Sequence, residues 1–120
     1  MESLKFTYLA EPNDINFGGK VHGGEVMKWI DQAAYALAVK YSKGYAVTKF
    51  VDNIEFKSPI NIGDLVTINV FLVKSGNTSM TFNVKVLSEH LVLQEENLNC
   101  ECDIVFVAID QNGKPRKIIK

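Results

Sequence analysis

The sequence predicts an α+β fold in which a single antiparallel sheet curls around one long helix. Three observations carry this. One stretch, from about Gly24 to Tyr41, has helical periodicity; four later stretches alternate with period two; one short strand candidate precedes the helix. In the order β-α-β-β-β-β the helix cannot bury its apolar stripe alone, and each later strand offers one apolar face. Wrapping the strands around the helix buries both. At 120 residues the chain can build one proper core but not two, so one domain over 1–120 is expected.

Lys5 to Leu9 is the short first strand. Glu11 to Gly19 reads as a loop, because Pro12, Asn13, Asp14, Asn16, Gly18 and Gly19 are turn formers. In the helix, Val26, Ile30, Ala33, Ala34, Leu37, Ala38 and Tyr41 recur at three- and four-residue steps, with Lys28, Gln32 and Val39 roughly opposite. Ser42-Lys43-Gly44 stops it.

Thr48, Phe50, Ile54 and Phe56 then mark one face of a strand, interrupted by Asp52 and ended by Ser58-Pro59. After a turn over Ile60 to Asp64, Val66, Ile68, Val70 and Leu72 alternate. Past the Ser75-Gly76-Asn77 turn, Met80, Phe82, Val84 and Val86 alternate strictly against Ser79, Thr81, Asn83 and Lys85, the clearest half-buried strand in the chain. Glu89 to Asn97 reads as a loop with partial strand character, Leu98 to Ile109 as a last long strand, and Asp110 to Gly113 as its turn. Open sheet edges and a partly covered helix favour pairing with a second copy.

Composition narrows the function. The chain is 47% hydrophobic and 22% charged, as a folded domain should be, and its net charge of -1 offers no basic surface for nucleic acid. No apolar run approaches the roughly 18 residues of a membrane span. Met1-Glu2-Ser3-Leu4-Lys5 lacks a basic and then apolar leader, so a cytoplasmic location is expected. Cys100 and Cys102 are spaced for neither a disulfide framework nor a metal knuckle and should pack as small apolar groups on one strand face. His22 and His90 are the only histidines and lie far apart, so no metal site is expected. There is no GxSxG, HExxH or GxxxxGKS motif.

The chemistry concentrates between Asn16 and Gln32. Gly23 and Gly24 at a helix start let a ligand approach the backbone closely. First-turn N–H groups there lack intrahelical partners and sit at the positive end of the helix dipole, so they can polarise a carbonyl and hold an oxyanion. A plain flexible turn is the simpler alternative. His22 beside them is a base, a ligand or an orienting donor. Asp31, about two turns into the helix beside Met27, Ala34 and Ala38, flanks the apolar stripe. A carboxylate there is costly unless paired or useful, the alternative being an ordinary solvated boundary residue.

Gly19-Lys20-Val21-His22-Gly23-Gly24, six residues and then Asp31 resembles the signature of hotdog-fold acyl-CoA thioesterases. Ala46-Val47-Thr48, Phe56-Lys57-Ser58-Pro59-Ile60, Gly63-Asp64 and Val107 to Pro115 resemble the broad-specificity acyl-CoA hydrolase subgroup along most of the chain. The HGG-x6-Asp spacing is also similar to that of phenylacetyl-CoA-type thioesterases.

The resemblance implies a hotdog fold, a homodimer assembled into a trimer of dimers, acyl-CoA as substrate with CoA as product, and no cofactor. It implies a site at the dimer interface, with Asp31 of one chain acting on a carbonyl held by Gly23 and Gly24 of the other, beside His22 and Asn16. Some members of the subgroup carry an aspartate at the position of Lys20; with lysine there, Asp31 is expected to be the catalytic acid, as in the phenylacetyl-type arrangement.

Substrate-binding candidates are Met27, Thr48, Lys20, Lys57 and Lys74. Met27, Trp29, Tyr35, Phe50 and Phe56 are candidate walls of an acyl tunnel, with core packing as the alternative. Lys20, Lys57, Lys74 and the C-terminal Lys114, Arg116, Lys117 and Lys120 are candidates for the CoA phosphates. Two other functions stand beside hydrolysis. A non-catalytic acyl-CoA binding or regulatory protein is less favoured, since the length leaves no output domain. A hotdog dehydratase would want a histidine and acid pair placed differently.

Overall fold

The structure, a computed structural model, describes residues 2–16 and 18–118. The elements are β1 (Ser3–Leu9), a short 3-10 turn (Pro12–Asp14), α1 (Gly23–Ser42), β2 (Ala46–Phe56), β3 (Leu65–Ser75), β4 (Ser79–Glu89) and β5 (Glu96–Ala108). The strands form one sheet in the order β1-β3-β4-β5-β2, every neighbouring pair antiparallel. α1 packs against all five strands. This is the hotdog arrangement, with the expected element order.

The alternation seen in the sequence explains the core. Val66, Ile68 and Val70 of β3, Met80, Phe82, Val84 and Val86 of β4, and Cys100, Cys102, Ile104, Phe106 and Ala108 of β5 are all buried. They meet Val26, Ile30, Ala33, Ala34, Leu37 and Ala38 of the helix, whose three alanines let the helix axis sit close to the sheet. Phe82 and Phe106 pack edge to face with centroids 6.0 Å apart. Truncating Ile30 or Leu37 to alanine should cost about 2–5 kcal/mol.

β2 departs from the expected pattern. It pairs Thr48 with Phe106 but Phe50 with Val105, so Lys49 is an extra residue in the strand. A β-bulge of this kind reverses which face the following side chains occupy. Thr48 shares the helix-facing side with Phe106, and Phe50 is carried to the outer side with Val105. The expectation that Thr48, Phe50, Ile54 and Phe56 share one face is therefore corrected. A second irregularity between Asp52 and Glu55, where Asn53 takes a left-handed φ of 54°, returns Phe56 to the helix side opposite Cys100.

The helix ends where expected. Lys43 adopts the left-handed conformation and donates its N–H to the Val39 carbonyl at 2.8 Å. The Arg116 guanidinium then closes the helix end, donating to the Ser42 carbonyl (3.0 Å), Ser42 Oγ (3.0 Å), the Tyr45 carbonyl (3.2 Å) and the Ile109 carbonyl (2.9 Å). Gly44 makes room for this clamp, since a Cβ there would lie 2.6 Å from Arg116 Nη2 and displace the guanidinium. Arg116 is thus occupied inside the fold rather than held out for a CoA phosphate, and Lys120 lies outside the described residues. Among the described residues no helix is long and apolar enough to cross a membrane.

Candidate active site

The loop that leads into α1 is built by backbone ties. Val21 N–H donates to the Ile60 carbonyl (2.9 Å) and His22 N–H to the Asp14 carbonyl (3.0 Å), fixing the approach to the helix between the 3-10 turn and the β2–β3 connection. Asn16 organises the loop tip: its Oδ1 accepts from the N–H groups of Gly18 (2.9 Å) and Lys20 (3.2 Å). With that oxygen engaged, Asn16 has only its amide N–H groups to offer a ligand. Lys20 Nζ donates to Asn61 Oδ1.

His22 is the residue before the first helical turn, in extended conformation, and its side chain caps nothing. Its carbonyl accepts from Glu25 N–H (3.0 Å) and Val26 N–H (3.1 Å). The N–H groups of Gly23 and Gly24 have no acceptor among the described residues, as the geometry of a helix start requires. Neither glycine has a positive φ. A Cβ on Gly23 would make only an ordinary 3.8 Å contact with Phe56, and one on Gly24 would meet nothing within 4 Å. Nothing inside the described chain demands glycine at these two positions.

Asp31 is exposed rather than wedged against the apolar stripe, which corrects the expected burial cost. Its Oδ1 accepts a hydrogen bond of 2.5 Å from Thr48 Oγ1, which faces the helix beside Phe106. Along the helix Asp31 lies roughly 10 Å from Gly24, at about 1.5 Å per residue. Asp31 and the Gly23–Gly24 turn therefore cannot reach one small group together from a single chain.

The other candidates scatter. Met27 is partly buried against the core. Trp29 is buried and stacks on Tyr8 with centroids 5.5 Å apart, so it is a core residue under β1 and not a tunnel wall. Tyr35 and Phe56 are exposed on the helix side of the fold and Phe50 on the outer face of β2, so the three do not line one tunnel within a single chain. Lys57 pairs with Glu55 at 2.7 Å, an exposed contact that holds the Glu55 carboxyl below and the Lys57 amine above their ordinary values, first through the hydrogen bond and then through charge. Lys74 sits at the far end of β3 from Asn61, Lys20's partner, about 30 Å along the strand.

Beside Gly23 a cleft of about 360 Å³ opens, walled by Val21, Val26, Phe56, Pro59 and Ile60. Asn99 lines it too and went unnoticed in the sequence. It is the extra residue of a bulge in β5, between the pairs Val86–Cys100 and Leu87–Leu98. The available signal was a polar residue directly beside the apolar run that begins at Cys100. Cys100 and Cys102 are buried as expected, and burial pushes both thiols up, Cys102 to about 12.

The thioesterase superfamily profile matches residues 18–94, well over half of the chain. Protein VdlD of Helicobacter pylori is 37% identical over 117 residues, covering 98% of this chain and 67% of that protein. The acyl-CoA thioester hydrolase YciA of Salmonella typhimurium is 32% identical over 113 residues, covering 92% and 85%. Among solved structures, a hexameric acyl-CoA thioesterase in its apo form superposes with a TM-score of 0.93 at 34% identity, covering 97% of this chain and 74% of that one. An acyl-CoA hydrolase from Staphylococcus aureus, solved in complex with butyryl-CoA and CoA, gives 0.90 at 27% identity, covering 97% and 71%. The chain belongs to the thioesterase superfamily.

Proposed function

We propose that this protein hydrolyses acyl-CoA thioesters to free acid and CoA, at a site shared between two copies of the chain. The observation that carries the reading is the separation on one helix of two complementary groups: free N–H donors at Gly23–Gly24, and a carboxylate, Asp31, held by Thr48. A second copy across the open β2 edge brings the Asp31 of one chain to the donor turn of the other. β2 exposes Val47, Phe50, Ile54 and Phe56, an apolar edge suited to such a partner. The relatives named as acyl-CoA hydrolases support the substrate, and the hexameric solved relative supports assembly of several copies.

In this mechanism the Gly23 and Gly24 N–H groups polarise the thioester carbonyl and hold the oxyanion as it forms. Asp31 drives the attack, as base on a water or as the nucleophile that forms a mixed anhydride. The tetrahedral intermediate collapses by expelling the CoA thiolate, which picks up a proton from solvent. In the anhydride route a water then hydrolyses the anhydride, freeing the acid and restoring the carboxylate. Label found in Asp31 after single turnover in ¹⁸O-water, from attack of that water at the aspartyl carbonyl, identifies this route, because the general-base route never labels Asp31. The His22 ring and the Asn16 side-chain amide N–H groups lie beside the carbonyl, and Thr48 fixes the carboxylate. Lys20 and Lys57, at the end of the fold where the helix begins, contact CoA phosphates; Lys74 reaches such a site only from another copy. Met27 borders the acyl chain.

A spacing supports Asp31 over an acid at the position of Lys20. In the Staphylococcus aureus hydrolase, the asparagine and the aspartate replaced by alanine in two solved variants stand fifteen residues apart, as Asn16 and Asp31 do here. The test is free-thiol release from a panel of acyl-CoA chain lengths, with wild type and Asp31→Asn. Wild type should hydrolyse at least one member, and Asp31→Asn should lose about 10²-fold or more in kcat. Acyl-CoA binding without thiol release would return the protein to the binding-protein reading.

A further inference from the structure

Asn99 is 2% exposed, and its side chain is half satisfied. The amide nitrogen donates to the Ser58 carbonyl (3.3 Å), Ser58 Oγ (3.0 Å) and the Pro59 carbonyl (3.1 Å). Those three acceptors fix which way the amide points. The opposite atom, Oδ1, is buried and has no hydrogen-bond partner. A buried acceptor left unpaired is costly, and in a folded protein it calls for an explanation. The backbone is fixed as firmly as the amide, since the Asn99 carbonyl accepts from Lys57 N–H at 2.7 Å. The amide therefore cannot turn to relieve its oxygen without giving up its own bonds.

The position of this orphan acceptor is informative. Asn99 lines the same cleft as Gly23, whose N–H is the free donor of the helix start. Most of the other walls are apolar. The cleft is thus built for a chain of methylenes that carries one N–H or O–H donor close to a polarised carbonyl. A saturated acyl group has no such donor. The CoA side of the thioester does: two methylenes from sulfur stands the first secondary amide of the pantetheine arm.

We propose that Asn99 Oδ1 is the acceptor for this amide N–H, so that the Gly23 cleft holds the cysteamine end of the pantetheine arm and sets the thioester carbonyl against the glycine turn. The inference rests on the acyl-CoA hydrolase reading given above. Oδ1 is closed to solvent in the free chain, so binding of the donor requires a wall of the cleft to shift. A site built around a substrate N–H discriminates against an analogue that lacks it, because the site's own polar group is then left unpaired.

The experiment compares butyryl-CoA with two synthetic analogues on the wild-type protein. In one, oxygen replaces the N–H of the amide nearest sulfur; in the other, oxygen replaces the N–H of the more distant amide. The expected result is a fall in kcat/KM of about tenfold or more for the first and under about threefold for the second. In Asn99→Ser the penalty for the first analogue should shrink towards unity, mainly because butyryl-CoA itself becomes a poorer substrate. If Asn99→Ser does not fold, the wild-type comparison with its internal control decides alone. Equal hydrolysis of butyryl-CoA and the first analogue, or an equal fall for both analogues, overturns the Asn99 subsite and leaves the hydrolase reading standing. Failure to hydrolyse any acyl-CoA overturns both.

Discussion

Thr48 Oγ1 donates to Asp31 Oδ1 across 2.5 Å, joining the edge strand to the middle of the helix. The bond exists because Thr48 pairs with Phe106 and so lies on the helix side of β2, just before the bulge at Lys49. It removes rotational freedom from a carboxylate that is otherwise exposed. In Thr48→Val the shape is kept and the donor is lost. A hydrogen bond to a charged group is worth about 1.5–3 kcal/mol, so kcat should fall about 10- to 100-fold. Thr48→Ser should restore most of it, and KM should move little in either variant. A purely structural threonine would instead show lowered melting temperature with kcat intact.

Gly24 separates a functional glycine from a structural one. Its substitution to alanine meets no atom within 4 Å, and its backbone needs no positive φ. Alanine is also the better helix former, by about 0.5–1 kcal/mol. Gly24→Ala should therefore leave the melting temperature unchanged or raise it while lowering kcat/KM, because the new methyl stands where the thioester approaches the free N–H groups. Full activity in a folded Gly24→Ala protein would remove the glycine turn from the mechanism.

Arg116 has the opposite profile. Its guanidinium makes four hydrogen bonds around the end of the helix and fills the space against Gly44. Arg116→Met should cost about 1–3 kcal/mol of stability, seen as a lower melting temperature, with KM for acyl-CoA unchanged. Gly44→Ala should destabilise the wild type but cost much less on the Arg116→Met background, a non-additivity that reports their contact. A raised KM in Arg116→Met at full stability would put the side chain back at the CoA phosphates.

What the sequence showed and what it hid follow from the same physics. The helix stripe was readable because burial on one face repeats every three to four residues, and the observed buried set differs mainly by adding Trp29 and Ser42. β4 was readable because nothing interrupts its inward residues from Met80 to Val86. Bulges were invisible, since one inserted residue leaves no mark in composition while it reverses the faces beyond it. That is why alternation alone puts Phe50 on the wrong side and gives no sign of Asn99. Arg116 looked like a surface cation because its acceptors are main-chain carbonyls, which no sequence pattern displays. The candidate residues Asn16, His22, Gly23, Gly24 and Asp31 were legible as a motif; the Thr48 contact that holds Asp31 needed the fold.

The two cysteines give a prediction in pH. Burial raises both thiols above their ordinary value of 9.0, Cys102 to about 12. Between those values an unfolded chain has released its thiol protons while the folded chain keeps them. The native state then binds more protons, so stability should fall as pH rises from about 9 towards 12. Below pH 9 this effect is absent. Thiolate absorbance should accordingly be missing from the native protein at pH 9, and iodoacetamide should label neither cysteine at pH 8 until denaturant is added. Rapid labelling of the native protein would mean that the β5 core opens locally.

The shared site makes the most specific prediction. Asp31 and Gly24 belong to the same helix and stand roughly 10 Å apart along it, too far for one thioester carbonyl to meet both. If two copies complete each other, every active site draws Asp31 from one chain and the glycine turn from another. Asp31→Asn and Gly24→Ala proteins should each be folded and nearly inactive. Neither residue is buried in the single chain, so mixing through subunit exchange or co-expression should assemble normally. A mixed dimer then contains one site with both defects and one with neither. Random pairing of equal amounts makes half of all dimers mixed, each with one of two sites intact, so about a quarter of wild-type activity should return. Differently tagged chains, purified in tandem, give the mixed dimer alone, and its activity should approach half of wild type. Mixed dimers as inactive as their parents would show that Asp31 and the glycine turn do not meet across the interface.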